Sequence, residues 1–224
     1  IFGQGQDKQE FLVFDYGGNF EYFNSHPNGA EAKPTPSLNQ RLFSLRLDLA
    51  VLLQDAEYQA CDYTKNLCEQ LKDILYEQVL TLNEAHISVR KHWHLVTRYK
   101  KQENWVYISE IEAQQLSKKI APLIFSDDTD FAAKRFDVVC LLMELSLIDS
   151  TIDGSKPMER IRVIAHRLEK KASIPQVMMC MPTIQKVQTA AFWESIHTNA
   201  EHGLDNLERI RVELRELMQY IGAD

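Results

Sequence analysis

The sequence predicts an all-α fold: an irregular multi-helix domain, 37–224, preceded by one β-strand. Three observations carry this. From Ser37 onward apolar residues recur at three- and four-residue spacings, the period of a helix with one buried face. Only Phe11-Leu-Val-Phe-Asp-Tyr16 reads as a short buried strand, and it runs into Gly17-Gly-Asn-Phe-Glu-Tyr-Phe23. Between the two, residues 24–36 carry His-Pro-Asn-Gly and Lys-Pro-Thr-Pro with no apolar residue larger than Ala, which marks a linker. The expected organisation is therefore 1–23, strand and turn; 24–36, linker; 37–224, helical domain. A lone strand cannot pair its own backbone N–H and C=O groups, so the strand is expected to belong to a sheet outside this sequence, and the chain to be a fragment.

Ser37 stands where an N-cap belongs, with Gln40 three residues on. Leu38, Leu42, Leu45, Leu49 and Leu52 follow as a core-facing stripe. Helical spacing runs from Tyr63 to about Tyr99, too long for one ordinary helix, and a single break is expected near Asn83 to Ser88. Ser109 to Leu123 predicts a short helix stopped near Pro122, because proline lacks an amide donor and clashes with the preceding turn. The acidic run Ser126-Asp-Asp-Thr-Asp130 caps a helix over Phe131 to Ile148, with Phe136, Val139, Cys140 and Met143 as its buried face. Gly154-Ser-Lys-Pro157 launches a helix over Met158 to Lys171. Two prolines within Ile174 to Pro182 predict irregular structure or a short helix. Leu204, Leu207, Ile210, Leu214, Leu217, Met218 and Ile221 define a C-terminal amphipathic helix.

Composition narrows the class. Of 224 residues, 45% are hydrophobic, enough for a core, and the formal charge is −7, which argues against a dedicated nucleic-acid module. No apolar run reaches the length of a membrane span, and no signal-peptide pattern opens the chain, so a cytoplasmic protein without membrane contact is expected. Cys61, Cys68, Cys140 and Cys180 are too few and scattered for a disulfide framework and read as reduced packing residues.

The opening stretch, Ile1-Phe-Gly-Gln-Gly-Gln-Asp-Lys8 leading through the strand to Phe23, resembles the end of the second helicase lobe in R subunits of type I restriction enzymes. The resemblance continues through Ser37-Leu-Asn-Gln-Arg-Leu-Phe43, Ile120-Ala-Pro-Leu123, Arg135-Phe-Asp137, Ile174-Pro175, Val187-Gln-Thr-Ala-Ala-Phe-Trp193 and Leu207-Glu-Arg-Ile-Arg-Val-Glu-Leu-Arg215. One departure is Gly17, where many relatives carry cysteine. The resemblance implies that the strand is the last of that helicase lobe. It also implies a bacterial or archaeal parent that hydrolyses ATP with Mg, translocates duplex DNA and cuts it in a complex with modification (methyltransferase) and specificity subunits. This region is then expected to be non-catalytic, without cofactor, and to dock the motor onto the methyltransferase core.

The residues themselves carry little catalytic pattern. No Gly-x-x-x-x-Gly-Lys-Ser/Thr loop is present. Asn83-Glu-Ala-His86 imitates a helicase metal-binding box, but its first residue is an amide where a carboxylate must hold magnesium, and it falls inside helical periodicity rather than at a strand end. Asp149, Asp153 and Glu169-Lys-Lys171 offer the letters of a nuclease without the sheet that gathers them round an ion. His92 and His94, two apart on a helix, face away from each other and cannot share a metal. Catalytic, cofactor and metal residues are accordingly expected to be none.

Two surface candidates remain. Arg90, Lys91, Arg98, Lys100 and Lys101, interleaved with Trp93 and Tyr99, form a basic strip suited to a duplex DNA backbone, or else a solvated helix face. Arg160, Arg162, Arg167, Lys170 and Lys171 form a second cluster open to the same two readings. Leu207, Ile210, Leu214, Leu217 and Ile221 are a candidate partner interface, with closure of the domain's own core as the favoured alternative.

Overall fold

A computed structural model describes residues 36–125 and 130–221 of the chain. The predicted strand at Phe11 to Tyr16, nearly all of the linker and residues 126–129 lie outside the described residues. Those that are described are helical throughout, with no strand among them.

The helix α1 (Leu38–Leu52) begins as the sequence predicts, with the Ser37 hydroxyl accepting the Gln40 amide. A short α2 (Ala56–Gln59) leads to α3 (Asp62–Leu80). The run expected to break once breaks twice. After α3 come a turn, α4 (Ile87–Arg90), a second turn at Lys91-His92, and α5 (Trp93–Tyr99). Ser109 and Glu112 close a reciprocal capping box at the start of α6 (Glu110–Gln115), which widens into a π-turn over Leu116–Ile120 and tightens into a 3₁₀ turn over Ala121–Leu123. Pro122 sits in that last turn, consistent with helix termination there.

The centre of the domain is α7 (Phe131–Ile148), capped by Asp130, whose carboxylate accepts the Ala133 amide at 3.0 Å. The expected single buried face is an underestimate. Phe136, Cys140 and Met143 enter one core cluster and Val138, Leu141 and Leu145 another, while Val139 is only half-buried. A helix apolar on nearly every side must be covered on every side. Accordingly α7 packs against α1, against α8 (Ser155–Glu169) and against α12 (Ala200–Arg215). Between α8 and α12 lie three short helices: α9 (Pro175–Met179), α10 (Met181–Lys186) and α11 (Ala190–Ile196). In α9 and α10 proline occupies the first helical turn, where its missing amide leaves no bond unmade. At the entry to α12 a Cβ on Gly203 would stand 2.5 Å from the Ile196 carbonyl oxygen and 2.6 Å from a Leu147 methyl, so this crossing requires glycine.

A third core cluster gathers Phe43 and Leu47 of α1, Leu75 and Val79 of α3, Val96 and Tyr99 of α5, and Trp105. The C-terminal stripe packs into the domain, with Ile221 alone left half-buried. Leu207 and Leu214 are fully buried and Ile210 and Leu217 nearly so, in the core under α7 and α8, with Ile221 packed at its edge.

Polar groups also join α7 to α12. Asp137, only 3% exposed, accepts Arg211 Nη1 at 3.3 Å and Arg215 Nε at 3.0 Å, while Arg211 Nε and Nη2 both reach Glu208 at 2.7 Å. Arg46 of α1 stands close enough for its charge to act on this group, and burial lowers its affinity for the proton.

Candidate functional site

The basic strip lies on α4, α5 and the turns around them, and the structure divides it. Arg98 pairs with Glu112 of α6. Lys100 is largely buried; its ammonium donates to the Leu82 carbonyl at 2.9 Å and to Glu84 at 2.8 Å, tying the end of α5 to the turn after α3. Arg90, Lys91 and Lys101 are exposed and make no ion pair among the described residues. The aromatic residues divide likewise. Trp93 is 46% exposed, edge-on to His94, beside Thr97, Arg98 and Lys101. The Tyr99 ring is fully buried against Trp105, whose indole N–H donates to the Tyr99 carbonyl at 2.8 Å. Burial, reinforced by the Glu112 carboxylate, pushes the Tyr99 hydroxyl up to about 12. Stacking on a ligand is therefore open to Trp93 and closed to Tyr99. Five cations in the sequence become three free ones, which lowers the expected salt slope of phosphate binding from about 4.5 to about 2.7.

The second basic cluster is regrouped by the fold. Arg160 and Arg167 of α8 meet Arg41 of α1 and Arg135 of α7 around a cavity of about 230 Å³ floored by Phe136, Ile164 and Met218. This size falls below the roughly 300 Å³ at which pockets for drug-sized ligands begin. Periodicity held no signal for this grouping, because the four arginines come from three helices.

The remaining motifs dissolve into local structure. Asn83-Glu-Ala-His86 lies in a turn, within the break the sequence predicts near Asn83 to Ser88: the Asn83 side chain accepts the Ala85 amide at 2.9 Å, Glu84 pairs with Lys100, and His86 precedes α4. His92 is the non-helical residue before α5, so it shares no helix with His94. Asp149 accepts the Thr151 amide and hydroxyl, and Asp153 accepts the Ser155 amide. These bonds hold both carboxyls below the usual carboxylate range. All four cysteines are free thiols. Among the described residues no group of three His, Cys, Asp or Glu could hold a metal, and no helix is long and apolar enough to cross a membrane.

Sequence reasoning missed the segment between Trp105 and α6. Val106, Tyr107 and Ile111 are 77%, 68% and 71% exposed. Yet the backbone that presents them is pinned: the Gln54 amide accepts the Ile108 N–H at 2.9 Å and donates to its carbonyl at 2.8 Å, and Lys72 donates to the Val106 carbonyl at 2.8 Å. The Ser109–Glu112 box fixes the far end. The signal was present in Ser109-x-x-Glu112, a capping box directly after two apolar residues. A fixed loop that offers exposed apolar side chains orders little further on binding, which favours association with another protein.

No protein family, curated protein or solved structure matches the chain.

Proposed function

We propose that this chain is the helical region following the second helicase lobe of a type I restriction R subunit, non-catalytic in itself, which docks the ATP-dependent DNA motor and nuclease onto the methyltransferase–specificity core. The observation that carries the reading is that the blocks resembling that family are the ones that build the domain. Ser37 caps α1. Asp137, from Arg135-Phe-Asp137, binds Arg211 and Arg215 of the last block across 74 and 78 residues of chain. Trp193 donates to the carbonyl of Val187 at 2.8 Å within its own block and is buried in the same core as Leu207.

Docking is assigned to the pinned Val106–Ile111 loop, because the C-terminal stripe has no exposed apolar face left to offer. The test is co-elution of the chain with the cognate modification and specificity subunits. Tyr107→Asp with Ile111→Asp should weaken capture at least tenfold while leaving the melting temperature within a few degrees. Capture unchanged by this pair would remove the loop from the reading, and absence of capture by the unaltered chain would remove the docking role.

A second reading has a specific observation behind it, the exposed Trp93 beside Arg98 and Lys101 with Arg90 and Lys91 nearby in sequence. There the domain guides duplex DNA along the motor. It requires duplex binding that weakens with a salt slope near the value of about 2.7 set by three cations.

A further inference from the structure

Glu144 is the most deeply buried acid among the described residues: it lies in the middle of α7, is 0% exposed, and neither carboxyl oxygen receives a hydrogen bond. An ionised carboxylate so placed would be intolerable, since a buried charge must be paired and hydrogen-bonded. No hydrogen bond from the groups around it ends on either of its oxygens. Of Arg211's three nitrogens, Nε and Nη2 are taken by Glu208 and Nη1 by Asp137. Arg215 gives Nε to Asp137 and Nη1 to Glu216. Arg46, facing from α1, acts on Asp137 and Glu208. Tyr63 of α3 lies close enough to feel the charges of Glu144 and of Glu208, Asp205 and Arg209 on α12, and on α7 itself Asp137 and the buried Cys140 thiol stand within the same range.

Another carboxyl, that of Glu208, lies within hydrogen-bonding reach of Glu144. Two ionised carboxylates cannot share that space, whereas a carboxylic acid and a carboxylate can, because the acid donates its hydrogen to the other's oxygen. A formal count of charges would balance with all three acids ionised against Arg46, Arg211 and Arg215. The count fails on geometry, because the guanidinium hydrogen bonds of Arg211 and Arg215 end on Asp137, Glu208 and Glu216 and none ends on Glu144.

We propose that Glu144 and Glu208 share a single proton across the contact between α7 and α12, and that this proton is a latch that loosens as pH rises. Burial first, then the Glu208 charge, lifts Glu144 well above the ordinary glutamate value of 4.5. The folded chain thus holds a proton that the unfolded chain has released. The latch contributes fully below the ordinary glutamate value and is lost as pH climbs from there through the raised one, by up to tenfold in the folded-to-unfolded ratio per pH unit. Ionising Glu144 would place two carboxylates face to face at the seam that holds the C-terminal helix.

The test is thermal unfolding of the 224-residue chain and of Glu144→Gln over about pH 5 to 9. The amide keeps a donor for Glu208 and cannot ionise. The wild-type chain should lose stability relative to the variant as pH rises. Parallel profiles would overturn the proposal, and so would a variant that fails to fold, since the amide reproduces the protonated acid. An independent readout needs no variant: in the wild-type chain labelled at the glutamate carboxyl carbons, one resonance should sit at the protonated-acid position at neutral pH. Its absence would also overturn the proposal.

Discussion

Two groups of charges in this domain have opposite fates. The strip from Arg90 to Lys101 is contiguous in sequence and spread over a surface, where its clearest pair, Arg98 with Glu112, has one partner 53% exposed. Such a pair contributes about 0–1 kcal/mol. The cluster of Asp137, Glu144, Glu208, Arg211 and Arg215 is scattered along the chain and gathered where α7 meets α12, with Asp137 3% exposed. There the Asp137 carboxylate, which water barely reaches, is satisfied by Arg211 and Arg215. Charge that can be read along a sequence is the charge that matters less to the fold. The buried cluster carries structure, and the strip is left available for contact.

The most severe test of that contrast is Asp137→Ala, which removes the acceptor that Arg211 and Arg215 share and leaves them only Glu208 and Glu216. A loss of about 3–5 kcal/mol is expected, read by thermal or denaturant unfolding. A loss below about 1 kcal/mol would place the cluster in the same class as the strip.

Leu214→Ala probes the apolar side of the same seam. Leu214 is fully buried, so its truncation should destabilise the isolated chain by about 2–5 kcal/mol. An unchanged melting temperature with weakened subunit capture would instead return the stripe to a partner-facing role.

Ser109→Ala removes the cap of α6 and should be felt at about 1 kcal/mol. Ser109's side-chain and backbone bonds also hold the Glu112 carboxyl below its usual range. The stabilisation they give is present above the ordinary glutamate value and lost as pH falls through the depressed one. The difference between wild type and variant should therefore shrink in acid, and a difference that grows there would contradict the capping account.

How much of this was legible follows from where the signals sit. The starts of α1 and α7 are written in local chemistry, Ser37 and Asp130 before an apolar run, and α7 ends at Ile148 as the spacing predicts. The second break, at Lys91-His92, was not legible because the apolar spacing continues across it through Val89 and Val96. The π-turn at Leu116–Ile120 leaves Leu116 and Ile120 four apart, as an ordinary helix would. Glu144 and Glu208 look in sequence like any solvated glutamate. Only the packing of α12 on an α7 that is apolar nearly all round takes away all of the water around Glu144 and most of that around Glu208. Proximity in sequence places Tyr99 and Lys100 in the strip, and side-chain direction removes them from it.

The contrast between the two groups is tested most directly by the melting temperature of Arg90→Ala/Lys91→Ala/Lys101→Ala, measured beside Asp137→Ala. Surface substitutions fall within about 0.5 kcal/mol each, and about 2–4 °C corresponds to 1 kcal/mol in a chain of this size. The triple variant should therefore melt within a few degrees of wild type, while Asp137→Ala falls by roughly 6 °C or more. A triple variant that melts as low as Asp137→Ala would show the strip to be part of the fold and contradict the account.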